Sequence, residues 1–327
     1  MQVETTEPAA REIIELCIVV PQECDGWRLD HFLKRRIGRL SRTRIQSILR
    51  TQIFFSDGRS VRPAASVHAG ETILLRRPAP IEPEVPRHFE ILYEDPSVLV
   101  IDKPAGLPMH TTAKFWRNTL TALLRERYPN ESMEVAHRID RETSGVLVIA
   151  RGHEVASFLT RAFARRAVEK TYLALVKGQP PDEGRIDRPL KLLDSPSHVM
   201  MGTAADGLTA VTRYRVVRRF AAHALCEAHP ESGRQHQIRV HFQSIGHPIV
   251  GDKLYGASEA LFMRSCDEGV TPELLAQFDD LPRHALHAHR LTFPHPKTKQ
   301  PLTVESPLPP DLVDYIGRLQ PSGDELR

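Results

Sequence analysis

Cysteine is scarce, with four in 327 residues: Cys17, Cys24, Cys226 and Cys266. No close pair has the spacing of a zinc knuckle or a redox motif. The expectation is therefore buried thiols of a cytosolic protein. Long apolar runs are missing too. The stretch from Ile13 to Val20 is broken by Glu15 and is too short to span a bilayer. Met1 to Glu7 carry two glutamates and no base, unlike a secretory leader. Excess charge is small: 44 Lys and Arg against 41 Asp and Glu permit an anionic partner without demanding one. There is no internal repeat, no low-complexity tract, no HExxH motif and no Walker or Rossmann glycine pattern. His284, His287 and His289 lie close together, as do His236 and His241, but no cysteine accompanies them. They read as hydrogen-bonding or phosphate-contacting residues, with no metal expected.

Proline marks the one division in the chain. Arg76 to Pro86, RRPAPIEPEVP, suits neither a helix nor a central strand, because proline fixes φ and lacks an amide donor. It reads as a semi-rigid linker. The expected organisation is a small unit over 1–77, a linker over 78–86 and a large unit over 87–327.

In the small unit, Ile13 to Val20, Ile53 to Phe55 and Glu71 to Leu75 read as strands. Leu29, Phe32, Leu33 and Ile37 fall at helical spacing, with Gly38 as a stop. Ser41 reads as an N-cap for a second helix with Ile45, Ile48 and Leu49 on one face. The polar positions of the two helices are basic: Arg28, Lys34, Arg35, Arg36, Arg39, Arg42, Arg44 and Arg50, with Asp30 the one acid among them. Like charges repel, so an anion should compensate them. A nucleic-acid backbone fits better than a merely solvated face.

The large unit opens with strand-like runs either side of the turn Glu94-Asp95-Pro96-Ser97, followed by the rigid turn Lys103-Pro104-Ala105-Gly106. Val146 to Ile149 reads as a buried strand, Val155 to Ala164 as a helix and Lys170 to Val176 as a strand. Ala210 to Arg219 and Ala222 to His229 suggest a strand pair, and Gln237 to Ile245 a helix stopped by Gly246. Strands arrive in pairs with occasional helices, which predicts α+β.

Three clusters carry chemistry. In His137-Arg138-Ile139-Asp140-Arg141-Glu142-Thr143-Ser144-Gly145, a carboxylate sits between two arginines ahead of a buried strand. Guanidinium neighbours should keep Asp140 ionised, fit to act as nucleophile or general base. Taken alone, the same residues suit a plain turn held by Asp140 and Thr143. Strand period puts Lys170, Tyr172 and Ala174 on one face. Tyr172 suits half-buried core, or a base-stacking platform beside a nucleic-acid site. Arg234, Gln237 and Arg239 lie near a helix start that can hold a phosphate or a carboxylate; a structural salt bridge is the plainer use.

Together these motifs resemble one family. HRIDRETSGVLVIA, KTYLALVKG and GRQHQIRVHFQSIGHPIVGDKLYG, with YEDPSVLVIDKPAGLPMH before them and ALHAHRLTFPHP after, are similar to the motifs of RluA-type pseudouridine synthases, in the same order. RLDHFLKRRIGRLSRTRIQSILR resembles the αL RNA-binding domain of a ribosomal small-subunit protein. The resemblance implies an α+β pseudouridine synthase fold with a mixed, mainly antiparallel sheet flanked by helices. It implies Asp140 as the catalytic residue, Tyr172 as the base-stacking ring, Arg239 as the partner of the aspartate, and Ile238 as the apolar floor beneath uracil. Arg138 falls on an arginine implicated in opening the RNA. Lys170, Arg234, Gln237, Arg35, Arg36 and Arg39 are the further expected RNA contacts. Ser232 and Gln235 stand where that family more often has threonine, and Ala257 to Pro282 is longer than expected.

The implied enzyme is an isomerase that needs no cofactor or metal. It is expected to be a cytoplasmic monomer acting on RNA, ribosomal in preference to transfer RNA, without a membrane segment. Two rival readings stand beside it: a non-catalytic RNA-binding protein on the same fold, and a glycosidase using Asp140 and Glu142 as its carboxylate pair.

Overall fold

The structure, a computed structural model, describes residues 13–37, 42–79, 82–112 and 114–322. The chain divides into two compact units, Met1–Ile81 and Glu82–Arg327.

The first unit runs β1 (Ile13–Val19), α1 (Leu29–Ile37), α2 (Arg42–Thr51), β2 (Ile53–Phe55) and β3 (Thr72–Pro78). Its strands form an antiparallel sheet in the order β1-β3-β2. The helical spacing of the apolar residues explains the core. Leu29, Phe32 and Leu33 of α1 and Ile45, Ile48 and Leu49 of α2 are all buried, in one cluster with Phe55 and Ile73. Each such side chain contributes roughly 1.5–3 kcal/mol by leaving water. Gly38, Arg39 and Ser41 lie outside the described residues.

The linker reading needs correction at its start. Arg76, Arg77 and Pro78 are strand residues, paired with Glu15, Ile14 and Ile13. Pro78 is the last residue of β3, where a missing amide interrupts no further pairing. The end of the proline-rich stretch packs on the second unit. Glu82 accepts hydrogen bonds from the backbone amides of Arg117 and Asn118, and Val85 joins an apolar cluster there.

The second unit contains β4 (Glu90–Glu94), β5 (Val98–Lys103), α3 (Leu120–Arg127), β6 (Met133–Val135), β7 (Ser144–Arg151), α4 (His153–Ala164) and β8 (Glu169–Lys177). It continues through β9 (Glu183–Asp187), β10 (Leu190–Leu192), β11 (Met201–Thr203), β12 (Val211–Arg219), β13 (His223–Pro230) and α5 (Gln237–Ser244). It ends with α6 (Glu259–Glu268), α7 (Pro272–Ala276), β14 (Leu286–Pro294), β15 (Pro301–Glu305) and α8 (Pro310–Gly317). The main sheet has the order β4-β5-β7-β14-β8-β13-β12-β9, with β15 added to β14 and β6 to β7. Among the described residues only the β7–β14 pairing is parallel, so the sheet is mixed and mainly antiparallel.

The apolar run of β7 follows from burial on both faces. Val146, Val148 and Ala150 pack with Ala156 and Leu159 of α4. Leu147 and Ile149 pack with Leu120, Leu123 and Leu124 of α3. β14 lies between β7 and β8, so it draws the loop before β7 towards β8. This joint is close: Gly145, at φ +114°, would put a Cβ 2.2 Å from the Ala288 carbonyl oxygen.

The buried-thiol expectation holds for Cys24 and Cys226 only. Cys17 and Cys266 are exposed, and all four are free. Cys17 lies on the outward side of β1, whose residues alternate, and α6, which carries Cys266, has no buried residue. In the long segment before β14, Leu274, Phe278 and Leu281 are buried. Asp279 ties that segment down by pairing with Lys177 at 2.7 Å and accepting from the Gly251 amide at 2.9 Å. No helix among the described residues is long and apolar enough to cross a membrane.

Candidate active site

The Asp140 segment is a turn: the Thr143 amide donates to the Asp140 carbonyl at 3.1 Å. The side chains do not hold it in the way a plain turn would. Thr143 Oγ1 bonds His284 Nε2 at 2.7 Å. Asp140 Oδ2 accepts from Arg239 Nη1 at 2.9 Å. Arg239 lies on α5, which follows β13, and is itself fixed from the other side. Its Nε and Nη2 donate to Asp252 Oδ2 and Oδ1 at 2.6 and 2.9 Å. Asp252 also accepts from the Leu254 and Tyr255 amides. One buried guanidinium thus bridges two acids, 99 and 13 residues away.

This geometry corrects the source of Asp140's charge. Arg141 turns away, pairing with Glu142 at 3.1 Å and lying over the Phe115 ring. Arg138 is exposed at the cavity wall. Burial pushes the Asp140 carboxyl up, but His236, Arg239 and His284 outweigh it and leave the carboxyl at about 2. His236 can contribute only where it is charged, and its own imidazole is pushed down to about 4. At neutral pH the permanent Arg239 charge is the effective partner. Asp252 is lowered further still, against its burial, by the same guanidinium.

Asp140 opens on a cavity of about 420 Å³, whose walls include Arg138, Lys170, Tyr172, Arg234, His236 and Ile238. That volume suits a nucleoside-sized ligand. Burial and then the Asp140 charge raise the Tyr172 hydroxyl above its ordinary range, so it stays protonated. Burial lowers Lys170 to about 8, and its Nζ donates to the Ser232 carbonyl at 2.7 Å. Gln237 also borders the cavity, but its amide is engaged within the chain. It accepts from Ser232 Oγ and the Arg234 amide, and donates to the Val211 carbonyl and Thr212 Oγ1. It shapes the loop that carries Arg234. Arg35 and Arg36 belong to α1 of the first unit, where both are exposed and Arg35 lies over the Trp27 ring.

Three supporting residues went unread in the sequence. Lys103 is fully buried, and its Nζ donates to the carbonyls of Pro104, Leu107 and Arg141. It clamps the back of the Asp140 turn, aided by the Gly106 amide on the same Arg141 carbonyl. Burial lowers it to about 7, although the nearby Asp140 charge works the other way. A lysine ending a strand of VLVI was the available signal. Asp252 and Tyr255 were visible only as parts of the GDKLYG motif.

The RNA pseudouridylate synthase family model matches residues 97–244. Ribosomal large subunit pseudouridine synthase D of Xanthomonas campestris pv. campestris is 37% identical over 311 residues, covering 92% of each chain. The chain belongs to the RNA pseudouridylate synthase family. The protein of the same name from Pseudomonas aeruginosa is 34% identical, covering 94% of this chain and 97% of its own. The structure of human RNA Pseudouridylate Synthase Domain Containing 1 superposes with a TM-score of 0.57 at 26% identity, over 75% of this chain and 96% of its own. The mixed sheet with flanking helices is this family's fold, as the motif resemblance implied.

The glycosidase alternative fails on charge. Such a pair needs one carboxyl held protonated as the acid. Glu142 is pushed up by burial, yet Lys253, with Nζ at 2.6 Å, and His284 bring it below its usual range. Both carboxyls are therefore ionised at neutral pH.

Proposed function

We propose that this chain converts uridines of ribosomal RNA to pseudouridine, with Asp140 as the carboxylate that acts on a nucleotide flipped into the cavity. The observation that carries the reading is the ionised Asp140, held by Arg239 at 2.9 Å in a cavity shared with Tyr172 and Ile238. Large-subunit ribosomal RNA is the substrate class suggested by the names of the relatives.

The reaction detaches uracil, turns it and rejoins it through carbon 5. Flipping the nucleotide costs a few kcal/mol, and stacking on Tyr172 offsets about 1–3 kcal/mol of that. Ile238 lies under the ring, and Arg138, Lys170 and Arg234 receive the flanking backbone at the cavity's wall. Asp140 then attacks the nucleotide or removes a ribose proton. Both routes need the charged carboxylate that the Arg239 pair preserves. The basic face of α1, with Arg35 and Arg36, adds sequence-independent affinity for RNA, and the enzyme works as a monomer.

Asp140→Asn keeps the shape of the side chain and removes its charge. Single-turnover conversion of ribosomal RNA should vanish while RNA binding stays near wild type. Pseudouridine mapping of total RNA with and without the gene identifies the target. Normal turnover by Asp140→Asn overturns the assignment of the residue, and modified positions confined to transfer RNA overturn the ribosomal target.

A further inference from the structure

We propose that His236 is a further catalytic residue, a neutral imidazole whose Nε2–H donates a hydrogen bond to a carbonyl oxygen of the reacting uracil beside Asp140. This rests on the reading that the Asp140 cavity takes a flipped uridine.

The backbone is the first observation. His236 has φ 56° and ψ 17°, the left-handed region, immediately before α5. A residue with a Cβ stands there only at an energetic cost. Helix capping does not explain that cost, because the side chain makes no cap hydrogen bond. The conformation instead puts the imidazole in the cavity wall, with Nε2 3.9 Å from Asp140 Oδ2. That is too long for a direct hydrogen bond. It leaves the nitrogen available to a group that enters next to the carboxylate.

The second observation is a hydroxyl placed to orient the ring. Nδ1 lies 2.7 Å from the Tyr255 hydroxyl. That hydroxyl oxygen already accepts from the Met201 amide at 2.9 Å. In the proposed arrangement the hydroxyl gives its own proton to Nδ1, which places the ring hydrogen on Nε2. Tyr255 is itself held from below, with the Arg239 guanidinium 4.9 Å from its ring centroid. The donor, its orienting hydroxyl and the Asp140–Arg239 pair form one assembly.

Charge supports the same role. Burial, and Arg239 next, push the His236 imidazole down to about 4, so it is neutral at pH 7. A cation here would compete with Arg239 for Asp140. A neutral donor does not, and neutral imidazole is an established way to polarise a carbonyl. Attack on the ring and departure of the base both put negative charge on uracil carbonyl oxygens. A preorganised N–H aimed at that charge lowers the barrier. The donor keeps its proton throughout, so no acid or base beyond Asp140 is added to the reaction.

The test uses the full chain and an RNA that the wild type converts. His236→Gly tolerates the left-handed backbone and removes the ring. Its single-turnover rate should fall about 100-fold, the usual cost of losing one such donor, while the RNA Kd stays within threefold. Added imidazole should recover at least a tenth of the wild-type rate. A rate within threefold of wild type overturns the proposal, as does a loss that imidazole leaves untouched. Independently of activity, 15N NMR of the wild-type protein should show His236 protonated on Nε2, and Tyr255→Phe should shift it to a mixture. A wild-type signal from the Nδ1–H tautomer overturns the proposal even if the glycine variant does not fold. If the wild type converts no RNA at all, the proposed function fails instead.

Discussion

Mild acid should unfold the second unit, because four imidazoles around the Asp140 turn, two buried and two half-buried, are held without charge. Burial drives His137 and His284 down to about 3, and His236 and His287 down to about 4. Nearby cations add to it: Lys170 for His137, Arg239 for His236 and His284, and Arg283 for His287, where the Ser306 carbonyl works the other way. In the unfolded chain each returns to about 6.5. The folded values are depressed, so the unfolded state binds more protons below pH 6.5. The stabilisation is present above that pH and is lost as pH falls towards 4 and 3. At pH 5 the four rings are nearly all charged when unfolded and nearly all neutral when folded. Unfolding should then take up about four protons, a slope of about 5 kcal/mol per pH unit. Domains of this size hold about 5–15 kcal/mol in total, so the unit should be lost between about pH 5 and 4. The depressed carboxyls of Glu142, Asp140 and Asp252 begin to add to the loss within this range, as pH falls through their unfolded values, and continue below it. Urea unfolding followed by circular dichroism from pH 7.5 to 4.5 gives the slope, and an indicator dye in weak buffer counts the protons. Uptake of fewer than one proton at pH 5 would refute the reasoning.

Other perturbations have equally definite outcomes. Asp252→Asn removes the buried charge that grips Arg239 by two hydrogen bonds. Breaking such a pair costs about 3–5 kcal/mol, which lowers the melting temperature by about 6–20 °C. An unchanged scanning-calorimetry midpoint contradicts this. Gly145→Ala drives a Cβ to 2.2 Å from the Ala288 carbonyl and sits at φ +114°. It should cost about 3 kcal/mol or more by prising β7 from β14, and a variant with wild-type urea midpoint is the contrary result. Arg35→Gln with Arg36→Gln should weaken RNA binding and flatten the log–log salt dependence by about 1.5. A salt slope equal to wild type would mean that this face of α1 is only solvated.

What was legible in the sequence is what spacing determines locally. Apolar residues three and four apart gave α1 and α2 their buried stripes, and the unbroken run before Arg151 gave β7 its burial on both faces. Turn residues gave the Glu94 to Ser97 connection. The site was legible only in its parts, because what makes it chemical is long-range. Asp140 looked as if its flanking arginines would hold it, yet Arg141 turns to Glu142 and Phe115 instead. The true partner lies 99 residues on, and it reaches Asp140 only because β14 enters between β7 and β8. The same insertion brings His284 to Thr143 and His287 to Ser144. A late strand in the chain thus assembles the environment of an early loop. That is also why the imidazoles that clothe Asp140 should fail together in acid: the segments before β7, before α5 and at the start of β14 bring them to one turn.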